Sequence, residues 1–418
     1  MGLVGLLVMI ALACALSVNR KAIPWRMVGM GLVLQLGLGV LVLKTPVGRT
    51  FFEAANAVVI RLLSFQETGA RLVFGNLVQN RIELSGTQGF VQTGAAFAFN
   101  VLPTIIFFSS LMSVLYYLNI MQWVVKGIAW VMQKSLKTSG AETLSAAGNI
   151  FLGQTEAPLL IRPFVGTATR SELMTIMVGG FATVAGGVMA AYVAMLRDAF
   201  PDIAGHLLTA SVMNAPAGLI LSKILMPETE HPVTRGTLRM KVEKTEANVI
   251  DAAAGGAAVG VQLAINVAAM LMAFFGLIAM LNFGLAWLGG LVGQPDLSFQ
   301  LVLGVLLKPL AFLMGVPWHD AGAVGSLIGV KTVLTEFVAY STLAEQMNHG
   351  LTLSPRAVVI ATYALLGFAN FPSIAIQIAG IGGLAPHRRG DLSRLGVRAM
   401  IGGNLAAFMS ASIAGMLV

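Results

Sequence analysis

The chain is expected to fold as an all-α polytopic membrane protein: eight transmembrane helices, two opposed re-entrant helical hairpins and interfacial helices, arranged as an inverted repeat. Three observations point there. Of 418 residues, 57% are hydrophobic and 11% charged, against about 25% charged residues in soluble domains. Apolar runs long enough to cross a hydrocarbon layer of about 30 Å recur along the whole chain. A Thr-Glu pair also interrupts such runs twice, in Gly153-Gln154-Thr155-Glu156-Ala157-Pro158 and in Val333-Leu334-Thr335-Glu336-Phe337. A carboxylate at membrane depth costs about 2.5 kcal/mol or more, so it usually marks a substrate or ion path. Two of them in matching contexts suggest a transporter with its site between two related halves.

The expected spans are 1–18, 27–43, 95–118, 173–196, 203–225, 259–292, 357–384 and 397–418. The first resembles a signal peptide, with Cys14 in a lipoprotein-like context. However, no Lys or Arg precedes the apolar run, and Arg20, Lys21 and Arg26 follow it. A secretory signal has the reverse polarity, so the run reads as a retained span. Cys14 is the only cysteine, which excludes an internal disulfide and a multi-cysteine metal site. A net charge of +8 could suggest nucleic acid, but the cations sit in short loops between apolar runs, so no nucleic-acid partner is expected.

With both termini outside, alternation puts Arg20, Lys21, Arg26, Lys126, Lys134, Lys137, Arg162, Arg170, Lys223, Arg235, Arg239, Lys241, Lys244, Arg388, Arg389, Arg394 and Arg398 inside, 17 of the 26 Lys and Arg residues. The segment 44–94 interleaves Glu53, Glu67 and Glu83 with basic residues and reads as a helix along the interface. Three further apolar runs, 144–165, 298–316 and 321–343, must not cross, or the loops after them change sides. The two that carry Glu156 and Glu336 are the candidate hairpins. Backbone of that kind is tolerated at depth only where protein or a water-filled cavity satisfies it.

Each hairpin precedes a span with its own break. Paired glycines stand in Thr183-Val184-Ala185-Gly186-Gly187-Val188, and Pro372 interrupts Phe368-Ala369-Asn370-Phe371-Pro372-Ser373. Both halves thus read hairpin, broken span, span. Unwound backbone leaves free N–H and C=O groups that suit neutral polar solutes and sodium. An ionised Glu is acceptor-only and can take two hydroxyls at once, as a diol presents them, whereas an amide such as Gln154 offers both a donor and an acceptor.

Ser17-Val18-Asn19-Arg20-Lys21, Trp25-Arg26, Gly69-Ala70-Arg71-Leu72-Val73-Phe74-Gly75, Val101-Leu102-Pro103-Thr104-Ile105-Ile106-Phe107-Phe108-Ser109-Ser110, Gly153-Gln154-Thr155-Glu156, Gly315-Val316-Pro317-Trp318 and Glu336-Phe337-Val338-Ala339-Tyr340 occur in this order. Together they resemble the concentrative nucleoside transporter family, bacterial type. The resemblance implies a homotrimer in the inner membrane that takes up nucleosides, uridine first, with sodium as coupling ion and no other cofactor. It also implies an elevator mechanism. A transport domain built from 141–226 and 298–418 would move against a scaffold of the spans 95–118 and 259–292, with 1–94 as N-terminal spans and interfacial helices. By the same resemblance Gly153, Gln154, Thr155, Glu156 and Val188 contact the base with Phe368 beside it, while Glu336, Asn370 and Ser373 hold the ribose. The side chains of Asn149 and Thr183 and the backbone oxygens of Leu152 and Val184 form the sodium set. Thr335 stands where the family commonly carries Asn, and Pro372 where it carries small residues.

Plainer readings compete. Glu336 can serve as ion-pair partner of Lys331 on one helix, Asn149 as a helix cap, Thr183 as a donor to its own backbone four residues back, and Gly186 and Gly187 as packing residues. His319-Asp320 resembles a metal or relay pair, but no second His lies at helical spacing. An intramembrane hydrolase lacks GxSxG and HExxH, so no enzyme is expected. A channel fits two opposed hairpins poorly. Proton coupling through Glu156 or Glu336 is the alternative to sodium.

Overall fold

The computed structural model describes residues 1–78, 81–83, 90–92, 97–236, 246–291, 293–348, 350 and 353–418. The basic positions Arg239, Lys241 and Lys244, the ends of two expected spans at 95–96 and 292, and the side chains of Arg81 and Glu83 lie outside the described residues.

The chain opens with α1 (Gly2–Ala15), α2 (Trp25–Lys44) and α3 (Pro46–Phe74). Thr45 caps α3 by accepting from the Gly48 N–H at 3.0 Å, just ahead of Pro46. Helix α3 is amphipathic, as expected for 44–94: Leu63, Gln66 and Ala70 are buried, and Arg49–Glu53 and Arg71–Glu67 pair one turn apart on the other face. One departure from an all-α chain follows, a two-stranded antiparallel ribbon of β1 (Arg81–Glu83) and β2 (Phe90–Gln92) where helix was expected.

Helices α4 (Leu102–Tyr117) and α5 (Ile120–Leu136) lead to α6 (Gly140–Gly148), a non-helical tip over 149–156, a turn at Ala157–Ile161 and α7 (Arg162–Val165). The chain folds back at this tip, where the returning arm packs closely on α6: a Cβ on Gly148 would lie 2.6 Å from the end of the Leu160 side chain. The span expected at 173–196 consists of two helices, α8 (Arg170–Ala182) and α9 (Gly186–Leu196), and α10 (Ile203–Leu225) follows. After α11 (Val249–Leu291) come α12 (Phe299–Leu313), α13 (Ala321–Val333) and α14 (Glu336–Asn348). Helices α13 and α14 break at Leu334-Thr335 and pack on one another, so the second fold-back has Glu336 at its tip. Helices α15 (Pro355–Leu365), α16 (Phe371–Leu384) and α17 (Arg389–Leu417) complete the chain.

Among the described residues six helical segments are long and apolar enough to cross a membrane: Trp25–Lys44, Phe97–Tyr117, Arg170–Leu196, Ile203–Leu225, Val249–Leu291 and Pro386–Leu417. Two of the eight expected spans, 1–18 and 357–384, are not among these segments. Helix α1 has 14 residues, about 21 Å at 1.5 Å per residue. The span expected at 357–384 is divided into α15 and α16 by the extended stretch at 366–370. Helix α11 begins ten residues before the expected start at 259 and reaches 43 residues. It packs closely on α4, where Cβ atoms on Gly256 and Gly260 would come within 2.6 Å of Ser113 and 2.7 Å of Ile106, the small-residue spacing of close helix pairs.

The two halves repeat their hydrogen bonding as well as their element order. Asn214 in α10 donates to the Ala182 carbonyl at 2.7 Å, at the first break. Asn404 in α17 donates to the Ala369 carbonyl at 2.9 Å, at the second. Each asparagine thus satisfies a carbonyl that a helix break leaves without its i+4 partner. The breaks also touch: the Phe368 N–H donates to Thr183 O at 3.3 Å. Gly367 sits at φ +112°, and a Cβ there would stand 2.6 Å from the Phe181 carbonyl, so the crossing requires glycine.

Lys223 falls at the end of the expected span 203–225, among the residues expected inside. It lies near the C-terminal end of α10, 3% exposed, paired with Glu142 and donating to Ser171 Oγ at 2.7 Å. Glu142 and Glu172 belong to capping boxes that start α6 and α8 from Ser139 and Thr169. Ser139 Oγ donates to Glu172 at 2.6 Å and Thr175 Oγ1 to Glu142 at 2.9 Å, which ties the ends of α6, α8 and α10 into one buried network.

Candidate functional site

The two fold-back tips and the two breaks meet at a continuous chain of hydrogen bonds. Glu336, 4% exposed, starts α14. Its Oε1 accepts from the Tyr192 hydroxyl at 3.0 Å and its Oε2 from Asn370 Nδ2 at 2.7 Å. Asn370 caps α16: its Oδ1 accepts from the Ser373 N–H at 2.9 Å, with Pro372 in the first turn, where a missing N–H costs nothing. Ser373 Oγ accepts from Gln154 Nε2 at 3.2 Å, and Gln154 Oε1 accepts from Gln377 Nε2 at 3.0 Å. The chain ends on the Met177 carbonyl of α8, which also accepts from Gln377 Nε2, at 3.1 Å. Of the expected set, Gln154, Glu336, Asn370 and Ser373 are therefore joined directly. Tyr192 and Gln377 were missed in the sequence, because neither stands in a motif.

Lys331 does not pair with Glu336. The break at Leu334-Thr335 takes the two residues off a common helix, and Lys331 Nζ donates to Ala364 O at 3.0 Å and Leu366 O at 3.4 Å, the open carbonyl end of α15. Thr335 caps α14 by accepting from the Val338 N–H at 3.3 Å. The aromatic rings of Tyr192 and Tyr340 stack at 4.3 Å between centroids, behind the Glu336 carboxylate.

Glu156 is turned away from this chain. Its carboxylate folds over Gly153, where a Cβ would stand 2.1 Å from Oε2. It faces a cavity of about 570 Å³ between the first fold-back and helices α4 and α11, lined also by Ser109, Tyr116, Gln122, Gly187 and Gly256. The Tyr116 hydroxyl and Gln122 Oε1 are buried there without a protein partner among the described residues. Thr155 packs on α16, where a Gly380 Cβ would come 2.6 Å from its methyl. Val188 is buried in the first turn of α9, and Phe368 is half-buried on the second break.

Of the expected sodium set, Asn149 and Leu152 lie on the first fold-back tip and Thr183 and Val184 on the first break. Asn149 ends α6, and neither its Oδ1 nor its Nδ2 has a partner among the described residues although the residue is fully buried. It lies against α8, with Nδ2 3.2 Å from where a Gly179 Cβ would be. Thr183 donates to the Gly179 carbonyl at 2.9 Å, the plainer reading of that residue, and its oxygen lone pairs stay available. The Phe151 carbonyl accepts from the Gly186 N–H at 2.9 Å, holding the tip that carries Leu152 beside the break that carries Val184. The donor set fits a hard cation, which takes oxygen ligands: side-chain oxygens of Asn149 and Thr183 with carbonyls of Leu152 and Val184, both in non-helical backbone.

His319 and Asp320 stand 3.3 Å apart, but Asp320 also accepts from the hydroxyl and N–H of Ser354, so the pair ties the start of α13 to the cap of α15. Among the described residues no group of three or more His, Cys, Asp or Glu could hold a metal ion.

Residues 4–77 match the Na+ dependent nucleoside transporter N-terminus, 98–199 a nucleoside recognition region, and 206–415 the Na+ dependent nucleoside transporter C-terminus. An uncharacterized transporter of Haemophilus influenzae is 46% identical over 419 residues, 100% of this chain and 97% of that protein. Sodium/nucleoside cotransporter 1 of Mus musculus is 42% identical over 99% of this chain, which spans 63% of that longer relative. CNTnw in an inward-facing substrate-bound state superposes with a TM-score of 0.90 at 46% identity, over 100% of this chain and 97% of that one. A doubly substituted CNTnw in an outward-facing state gives 0.91 at 45% identity, with the same coverage. A multi-pass helical fold, crossed helix breaks and matches along nearly the whole chain lead to one conclusion: this protein belongs to the concentrative, Na+-dependent nucleoside transporter family, bacterial type, and is a membrane transporter rather than an enzyme.

Proposed function

We propose that the protein is a sodium-coupled nucleoside symporter of the bacterial inner membrane, with uridine and other pyrimidine nucleosides as its first substrates. The observation that carries this reading is the buried chain Tyr192, Glu336, Asn370, Ser373, Gln154, Gln377, which runs between the two halves and passes Gly180 of α8, while the unsatisfied Asn149 amide lies against the preceding Gly179. Glu336 has two protein donors, and a carboxylate offers about four lone-pair sites, so both oxygens keep room for the ribose diol. Asn370 and Ser373 flank it. Gln154 meets the base, with Gly153, Thr155, Val188 and Phe368 around it, and Glu156 contributes from the cavity beside the scaffold.

Sodium binds at Asn149, Thr183, Leu152 and Val184, and it couples to substrate because the two helix breaks are hydrogen-bonded to each other through Phe368 and Thr183. Ordering one break orders the other, which is the physical content of a positive coupling free energy. In this reading 141–226 and 298–418 form a transport domain. It moves as an elevator against the scaffold of α4 and α11 within a homotrimer, with both termini outside, and 1–94 supplies N-terminal spans and interfacial helices. States of CNTnw facing inward and outward support such a movement.

Radiolabelled uridine uptake into proteoliposomes tests the proposal. Uptake is expected to be saturable and to require an inward sodium gradient. Equal uptake in choline that follows a pH gradient instead replaces sodium with the proton-coupled reading.

A further inference from the structure

We infer that Gln377 is a specificity-determining positioning residue: it locks the Gln154 side-chain amide in one of its two orientations, with the N–H side toward the substrate. The argument starts at a group whose role cannot change. The Met177 carbonyl only accepts, so the Gln377 terminal atom 3.1 Å from it is nitrogen. The same nitrogen lies 3.0 Å from the terminal atom of Gln154, which must therefore be oxygen. The Gln154 nitrogen is left to face Ser373 Oγ at 3.2 Å and the space beside it. Turning Gln154 alone would set two NH2 groups against each other. Turning both would set the Gln377 carbonyl against that of Met177.

Two features show that the pair is built for this orientation. Gln377 is fully buried and keeps its own Oε1 without a protein partner among the described residues, so the orientation is held at the expense of an unsatisfied acceptor. Gly180 makes space for it: a Cβ there would stand 2.8 Å from Gln377 Nε2 and 2.9 Å from Gln154 Cβ. Both hydrogens of the Gln377 amide are used, one on Met177 and one on Gln154, so the side chain is spent on orienting and does not itself read substrate.

The consequence concerns which bases are favoured, and it rests on the proposed role of Gln154 as base reader. A fixed N–H rewards a base that presents an acceptor. The two pyrimidines share the carbonyl at ring position 2 and differ at positions 3 and 4; a fixed N–H facing position 4 meets a carbonyl on uracil and an amino donor on cytosine. A free amide would turn to suit either base.

Calorimetric titration of uridine and cytidine into purified full-length protein at saturating sodium tests this with wild type, Gln377→Met and Gln154→Ala. Wild type is expected to bind uridine at least about fivefold tighter than cytidine, the low end for one mismatched buried hydrogen bond. Gln377→Met, close in shape but unable to donate, should bring the two within about twofold, mainly by weakening uridine. A wild-type ratio near one, or a wild-type ratio retained in Gln377→Met while Gln154→Ala loses it, overturns the inference and leaves Gln154 as reader. Wild-type affinity and ratio in Gln154→Ala instead remove the underlying reading. If Gln377→Met is not monodisperse, Gly180→Ala, which pushes a methyl into the same amide pair, must lower the ratio; an unchanged ratio there overturns the inference equally.

Discussion

Glu336→Gln changes one oxygen for an NH2 group, and the structure dictates where that group must go. Asn370 cannot turn to meet it, because its Oδ1 is held by the Ser373 N–H at 2.9 Å, so Asn370 continues to present a donor. The glutamine oxygen must therefore face Asn370, and its NH2 must face Tyr192, whose hydroxyl oxygen can accept. The fold keeps its bonds, and the loss falls on the substrate side. One ribose hydroxyl loses a charged acceptor and meets a donor, at about 1 to 3 kcal/mol, or roughly 5- to 140-fold in Kd at 1.4 kcal/mol per tenfold. Uridine and 2′-deoxyuridine should be titrated by calorimetry into wild type and variant at saturating sodium. We expect uridine affinity to fall at least about fivefold and the gap between the two nucleosides to narrow, which makes a two-by-two cycle with nonzero coupling. Folded Glu336→Gln that binds uridine within twofold of wild type refutes the reasoning.

Three further perturbations follow from particular contacts. Asn149→Ala removes a buried amide with no protein partner, so the melting temperature in choline should hold or rise while sodium-induced stabilisation disappears. An unchanged sodium shift rules Asn149 out as a ligand. Lys223→Met strands the buried Glu142 beside Glu172 and should cost about 3 to 5 kcal/mol of stability; adding Glu142→Gln should recover part of it, which heating followed by size-exclusion chromatography reads directly. Asn404→Leu frees the Ala369 carbonyl next to Asn370 and Asn214→Leu frees that of Ala182 next to Thr183, each at about 1 to 3 kcal/mol. The first should lower uridine affinity at saturating sodium, and the second should raise the sodium concentration needed for half-maximal uridine binding; identical behaviour of the two contradicts separate roles.

The sequence by itself determined the membrane class, the approximate extent of most spans, both fold-back tips and both breaks, because hydropathy, glycine pairs and Pro372 act over a few residues. The family motifs also brought Gln154, Glu336, Asn370 and Ser373 to attention before any contact was known. Tertiary structure alone decided what those residues touch. In sequence Glu156 and Glu336 look equivalent, yet one carboxylate folds over Gly153 toward a cavity and the other is held by Tyr192 and Asn370. Helical spacing left Lys331 as a competing ion-pair partner of Glu336, and the break at Leu334-Thr335 gave it to the carbonyls ending α15 instead. Lys223 stood at the end of the expected span 203–225 with Glu228 near it in the chain, but nothing local announced that Glu142, on another helix, would also pair with it. Tyr192 and Gln377 carry no local signature: their partners lie 144 and 223 residues away. A hydrogen bond over such a separation depends on how helices pack, and helix period and transfer free energy do not encode that.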